Sequence, residues 1–348
     1  MIRWRDGRVR EVRGNTGGSV DLVVTTSSGD VAAIAYAPLV GVPEIGDRVL
    51  LNTTALDLAL GTGGAAIVVA IPDRLPADPA LEGHIVKARY TPLQATVLAA
   101  DEQGSPHHEV LRDADDIDGM PVVVADLHSA LPAILVGIRS EWPEARVVYL
   151  MSDGGALPIW FSRTVSALRS SGWLAATVTV GQAFGGDVET VTVHTGLLAA
   201  RLVLAADIAI VTQGPGNLGT GTRWGFSGVA SGEAINAVNV LGGRAVAALR
   251  VSDVDPRERH RGVSHHSLTA LGRVALAPAD VVVPDLIDVA AVASLASRHR
   301  LVGVSVDGLD TALRACPVPL SSMGRSYDDD PAYFLAAAAA GRHAARLL

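Results

Sequence analysis

Asp207-Ile-Ala-Ile-Val-Thr-Gln-Gly-Pro-Gly-Asn-Leu-Gly-Thr-Gly-Thr-Arg-Trp-Gly-Phe-Ser-Gly228 reads as a strand–loop–helix unit. Ile208 to Val211 is a short apolar run with the length of a buried strand. It empties into a loop holding Gly214, Gly216, Gly219, Gly221, Gly225 and Gly228, and a helical pattern follows from Ala234 to Leu241. Glycines allow positive φ and let a ligand approach the backbone closely. Thr220, Thr222 and Ser227 add hydroxyls, and Arg223 adds a planar cationic fork. The stretch therefore predicts a ligand loop suited to an anion, at the end of a strand in a parallel sheet.

Working outward, the same alternation recurs from Pro121. Strands are predicted at 122–127, 147–151, 175–180, 208–211, 245–251, 281–283 and 301–306. Helical patterns lie between them, at about 130–140, 161–169, 188–204 and 234–241. Such alternation demands right-handed crossovers and a mostly parallel sheet covered on both faces. The Ala-rich segment 331–348 is predicted to be a helix packed on the outside or at a subunit interface, which leaves a homo-oligomer open.

The N-terminal rhythm differs. Runs at 7–13, 19–27, 30–36, 48–53 and 65–71 are β-rich and separated by Gly, Asn, Asp and Pro turns. They predict a small barrel or sandwich over 1–72. The Thr- and Gly-rich stretch Asn52 to Gly64 reads as a connection that could also serve a ligand. Residues 73–120 read as a linker and bridging segment, and 121–348 as a Rossmann-like α/β domain. The fold class is thus α/β, a mostly parallel sheet with helices on both faces preceded by a β-barrel-like domain.

Composition bounds the function. The 348 residues carry a net charge of −8 with no basic run, which argues against nucleic acid. No apolar stretch reaches the roughly 18 residues of a membrane helix, and the N-terminus lacks the apolar core of a signal peptide. One cysteine, Cys316, excludes a disulfide framework within the chain. These features point to a cytoplasmic protein without membrane or nucleic-acid partners.

In open parallel sheets, ligands collect beyond the carboxyl ends of the strands. Those ends here hold Asp126-Leu-His128, Ser152-Asp153-Gly-Gly, Gly181 to Asp187, the glycine loop, and Ser252 to Ser267 with its Arg257, Arg259, Arg261, His260, His265 and His266. The opposite edge is plain. This asymmetry predicts an anion site with Gly214, Gly216, Gly219, Thr220, Arg223, Arg257, Arg259 and Asp187 as ligand contacts. His128, Asp153, His265 and His266 are the candidates for acid–base work. Lys87 is the only lysine among 28 basic residues. If its ammonium was retained for a purpose, the segment from His84 to Gln94 should bring it to the same edge, close to the glycine loop or the histidines.

Other chemistries fit less well. Asp126, His128, Asp153, Asp187, His265 and His266 are suitable metal donors, but no ligand spacing fixes a metal, and none is assigned. Gly214-Pro-Gly-Asn-Leu-Gly219 matches the dinucleotide fingerprint, yet Pro215, the late helix and the missing acidic residue break its context. No nucleophile-elbow spacing occurs around a serine. The cofactor stays unknown. The function expected is an enzyme acting on a small anionic metabolite, phosphorylated ones included, with a non-catalytic ligand sensor as the alternative.

Several blocks together resemble a bacterial family of proteins of unknown function. They are Leu50-Leu-Asn-Thr-Thr-Ala, Leu60-Gly-Thr-Gly-Gly64, Tyr90-Thr-Pro-Leu-Gln94, Ser105-Pro-His-His108, Met151-Ser-Asp-Gly-Gly-Ala-Leu-Pro158, Gly181-Gln-Ala-Phe-Gly-Gly-Asp187 and Arg257-Glu-Arg-His-Arg-Gly-Val-Ser-His-His-Ser267. The likeness covers nearly the whole chain and implies that these blocks act as one unit. It implies no activity, substrate or catalytic residue.

Overall fold

The computed structural model describes residues 1–60, 63–80 and 82–348. The Thr- and Gly-rich connection Asn52 to Gly64 therefore lies partly outside the described residues.

Five strands, β1 (Trp4–Thr16), β2 (Ser19–Thr26), β3 (Gly29–Tyr36), β4 (Arg48–Asn52) and β5 (Ala66–Ala70), close a barrel in the order β1-β2-β3-β5-β4. The sequence runs alternate as a closed sheet requires. Val9, Val20, Leu22, Val24, Val49, Leu51, Ala66 and Val68 face a common interior, and closure leaves no unpaired edge.

A two-stranded ribbon, β6 (Ile85–Lys87) with β7 (Ala95–Val97), bridges to the main sheet. Eight strands build that sheet: β8 (Pro121–Val124), β9 (Val147–Ser152), β10 (Ala176–Val180), β11 (Val188–Thr190), β12 (Ile208–Gln213), β13 (Arg244–Ala247), β16 (Asp280–Pro284) and β17 (Arg300–Val304). Between β13 and β16 the chain forms a short ribbon, β14 (Val251–Ser252) with β15 (Gly262–Val263). The sheet order is β11-β10-β9-β12-β8-β13-β16-β17, and every neighbouring pair is parallel.

Both faces are covered, so the strands are apolar at successive positions. In β9, Val147, Tyr149 and Met151 enter one core while Val148 and Leu150 enter the other; in β12, Ile208 and Ile210 are opposed by Ala209 and Val211. One face is roofed by helices Leu131–Glu141 and Pro331–Ala345, the other by helices that include Ala230–Val240 and His265–Thr269.

Three expectations need correction. The helix expected over 188–204 begins only at Val193, because Val188–Thr190 pairs with β10 as the edge strand β11. Asp187 drives this: its carboxylate accepts from the backbone N–H and hydroxyl of Thr177 and turns the chain back onto the sheet. The strand expected over 245–251 stops at Ala247, and Val251 leaves to pair with Val263. The Ala-rich C-terminal helix is not an outer helix. It is buried from Ala332 to Ala345 except at Leu335 and crosses helix Leu131–Glu141. The crossing is close because glycine meets backbone: a Cβ on Gly137 would collide with the Ala338 carbonyl, and one on Gly341 with that of Ile134.

The topology places a crevice. The chain leaves β8 toward β9, β10 and β11, returns to β12, and then places β13 on the other flank of β8. Connections diverge around β8, and such a reversal opens a cleft beyond the carboxyl ends of the strands. The barrel docks near this edge. Its Tyr36 and the β1–β2 turn meet Trp160, whose ring stands edge-on to Phe184, and Asp21 accepts from Arg163 at 2.8 Å. No helix among the described residues is long and apolar enough to cross a membrane.

Candidate functional site

Three chain segments converge on the crevice: Asp126 after β8, the glycine loop after β12, and 250–266 after β13. The glycine loop is a tight hairpin. Gly219 pairs with Phe226, Thr220 N–H donates to the Gly225 carbonyl at 2.7 Å, and Ser227 N–H donates to the Leu218 carbonyl at 2.9 Å. Its glycines have separate causes. Gly214 packs on Met151 and Leu157, Gly216 and Gly221 have φ of 94° and 79°, and Gly225 sits against the Thr220 and Thr222 hydroxyls. The Thr220 hydroxyl is within 3.1 Å of that of Thr222, inside the hairpin. Positive φ at Gly216 and Gly221 is a conformation that a side chain would strain.

The hairpin holds Arg223 out beside Arg259 and His265. With Gly221, Leu268, Thr269, Gly272, Arg273 and Ser294, these residues line a cavity of about 740 Å³. Among the described residues Arg223, Arg259, Arg261 and Arg273 are the arginines without a hydrogen bond, ion pair or ring contact from the side chain. Three of these four line that one cavity. Arg257 differs: its guanidinium grips Asp255 with two bonds of 2.9 Å, and Arg325 (3.3 Å) and Arg250 (3.8 Å) share the same carboxylate. The Arg257 hydrogen bond holds the Asp255 carboxyl well below the usual carboxylate range.

Behind the cavity wall His260, His265 and His266 form a cluster in which one ring nitrogen from each lies within 4.8 Å of the others. His260 and His266 are buried and His265 is half-buried. His260 Nδ1 is 2.7 Å from the Ser264 hydroxyl, and His266 stacks flat on Phe226 with centroids 3.7 Å apart. Two polar atoms here are buried and without a hydrogen-bond partner, His265 Nε2 and Asp126 Oδ2. Burial, then the neighbouring arginines, pushes His260 down to about 3, and burial also lowers His265. His260 and His265 are therefore neutral near pH 7, each with a lone pair on one ring nitrogen.

The remaining sequence candidates lie elsewhere. His128 is buried between Ser162 Oγ (2.7 Å from Nε2) and Tyr149 Oη (2.9 Å from Nδ1), and Tyr149 continues to Thr212 at 3.0 Å. Thr212 donates onward to the Gln213 carbonyl at 2.8 Å, so one proton order runs from Ser162 to a backbone acceptor. Burial lowers His128 to about 4. It lines a separate cavity of about 280 Å³, with Ile34, Gly63 and Ala65 from the barrel side and Pro215 from the hairpin. Asp153 is a turn carboxylate, accepting from Gly155, Ala156 and Gln182 N–H groups. Asp187 is held by Thr177 and Arg169. Lys87 reaches the sheet edge but is fully buried. Its ammonium donates to the carbonyls of Gly181 (2.7 Å), Ala183 (3.0 Å) and Thr190 (3.2 Å) and lies 3.2 Å from Glu189. Burial lowers its pKa, against the pull of Glu189.

Sequence reasoning brought Arg223, Arg259, His265 and His266 together. It missed Arg273, although 265, 269 and 273 are spaced i, i+4, i+8 on one helical face. It also missed Ser162 and Tyr149, which carry no local signal.

A family profile matches residues 32–341 and is described as protein of unknown function (DUF3866). The chain belongs to the DUF3866 family. The DUF3866 match spans both the barrel from β3 onward and the entire parallel sheet, so barrel and crevice fall within one family unit. No curated protein matches the chain.

Proposed function

We propose that the protein binds a small anionic metabolite, with phosphorylated compounds the leading class, in the cavity lined by Arg223, Arg259 and Arg273. The observation that carries this reading is the concentration of partnerless guanidinium groups in one concave place. Elsewhere in the acidic chain arginines are predominantly paired, as Arg257 and Arg300 are. Guanidinium forks match phosphate and carboxylate oxygens two at a time, and the hairpin presents Gly221 to the cavity, without side-chain bulk. The cavity opens beyond β12 and β13, next to the topological reversal where ligands of parallel sheets gather.

The reading favours an enzyme because a neutral imidazole, His265, lines the same cavity. A depressed basicity keeps that ring able to take a proton from a bound reactant near neutral pH. His128 and Asp153 are not needed for this step.

A sensing role is the second reading, supported by one contact. The hairpin residue Pro215 and the barrel residues Ile34 and Ala65 line one cavity, so an anion that reorders the hairpin would be felt by the barrel.

The test is thermal. A ligand binding only the folded state at 100 times its dissociation constant stabilises by about 2.7 kcal/mol. Inorganic phosphate, added to chelator-treated protein, is expected to raise the melting temperature, and Arg223→Ala with Arg259→Ala to remove most of the rise. An unchanged rise in both variants would move the site elsewhere.

A further inference from the structure

We infer that His260, His265 and His266 form a binding site for one divalent transition-metal ion of the zinc class. This goes beyond the anion reading and does not depend on it. The three rings converge from a single loop and the first turn after it, with one nitrogen of each within 4.8 Å of the others. A zinc ion at about 2.0–2.1 Å from each would draw those nitrogens to about 3.3 Å apart in tetrahedral geometry, which side-chain rotation can supply.

Packing three imidazoles together, two of them buried, has no evident gain for the fold alone. Each ring carries a nitrogen lone pair, and the unprotonated pair needs a donor or a cation. His260 Nδ1 is occupied by Ser264, which leaves Nε2 available, and His265 Nε2 is buried with no hydrogen-bond partner. Such an orphan nitrogen within a cluster of its own kind is the second, independent sign of a missing ligand.

The surroundings fit a metal as well. Ligating histidines commonly hand their other ring proton to a carboxylate or hydroxyl, which fixes tautomer and orientation. Ser264 holds that position for His260. For His266 a buried carboxylate is near, Asp126 Oδ2 at 3.8 Å from Nδ1 and with no hydrogen bond of its own, while Nδ1 accepts from the Arg250 guanidinium at 3.4 Å. Ligation through Nε2 requires Nδ1 to carry the proton and turn it to Asp126 instead. Arg250 opposes the cation, with its guanidinium 3.4 Å from His266 Nδ1, but Asp126 and Asp255 stand at 3.9 and 3.8 Å from it and balance its charge.

Three protein nitrogens leave a tetrahedral ion one open position. Because His265 also lines the arginine cavity, an ion there would take up the lone pair otherwise available for proton transfer and put a Lewis acid at the wall of the anion pocket in its place.

Cobalt(II) is the probe, since its visible absorption reports low-coordinate nitrogen ligation. Chelator-treated protein in phosphate-free buffer should take up one cobalt per chain, with bands that one equivalent of zinc abolishes. His265→Gln, at a half-buried position, should retain the fold by its melting temperature and weaken uptake at least about 100-fold. That is beyond the 10–100-fold typical of losing an outer partner. His260→Ala should do the same, and His194→Ala, at an exposed histidine outside the cluster, should change nothing. No saturable uptake of cobalt or zinc, uptake intact in His265→Gln, or equal loss in His194→Ala would each overturn the proposal. Phosphate stabilisation of the metal-free protein is read separately, so failure of one proposal leaves the other standing.

Discussion

At the scale of single residues, exposure of a charge means little until its partners are counted. Arg257 and Arg259 are two positions apart in one arginine-rich loop, yet Asp255 binds the first and none of the described residues binds the second. The sequence could nominate the loop but not divide it, because pairing depends on where Asp255 is buried. Lys87 teaches the same lesson. Its solitary status was visible, but its four oxygen neighbours come from Gly181, Ala183, Glu189 and Thr190, about a hundred residues away. His128 gives a pH prediction. Its ordinary value of 6.5 falls to about 4 through burial, so the folded state disfavours the protonated ring. Its contribution to stability is complete above about pH 6.5 and lost as the pH falls toward 4. A tenfold drop in proton affinity on folding corresponds to about 1.4 kcal/mol, so the loss is on the order of 1–3 kcal/mol. Urea unfolding at pH 7 and pH 4.5 should show a steeper loss for the parent than for His128→Asn. Parallel losses would contradict this account of the buried ring.

At the scale of elements, most strands were legible because their period is short and their composition β-branched. β12 and its glycine loop were read from local chemistry alone. The strand β11 was not, since Val188-Glu-Thr-Val-Thr-Val has no period that separates a strand from a helix start, and Asp187 decides it through a contact with Thr177. The C-terminal helix was found but misplaced, because alanine is as compatible with a tight helix crossing as with an exposed surface. Its burial depends on Gly137 and Gly341, which let each helix touch the other's backbone. Gly137→Ala should therefore destabilise by about 1–3 kcal/mol or more, as overpacking does, despite alanine's better helix propensity. A melting temperature equal to or above the parent's would show that the crossing can open without penalty.

At the scale of the whole molecule, the parallel sheet sets where chemistry gathers. The reversal around β8 puts Asp126, the hairpin after β12 and the histidine loop after β13 on one edge, and the barrel meets that edge through Trp160 and the cavity shared with Pro215. Edge asymmetry was legible in the sequence, and three of the loops it named, at Asp126, after β12 and after β13, converge in the structure. The division of that edge into an arginine cavity, a histidine cluster and a separate His128 pocket was not, because loop order along the chain carries no distance. The central claim, that the cavity and not general positive charge binds the anion, is tested most directly by calorimetric titration of phosphate into single arginine variants. Arg223→Ala, Arg259→Ala and Arg273→Ala should each weaken binding by about tenfold or more, since a hydrogen bond to a charged group contributes about 1.5–3 kcal/mol. Arg261→Ala, likewise exposed and unpaired but outside the cavity, should bind as the parent does. Equal losses in all four variants, or none in the first three, would contradict the account.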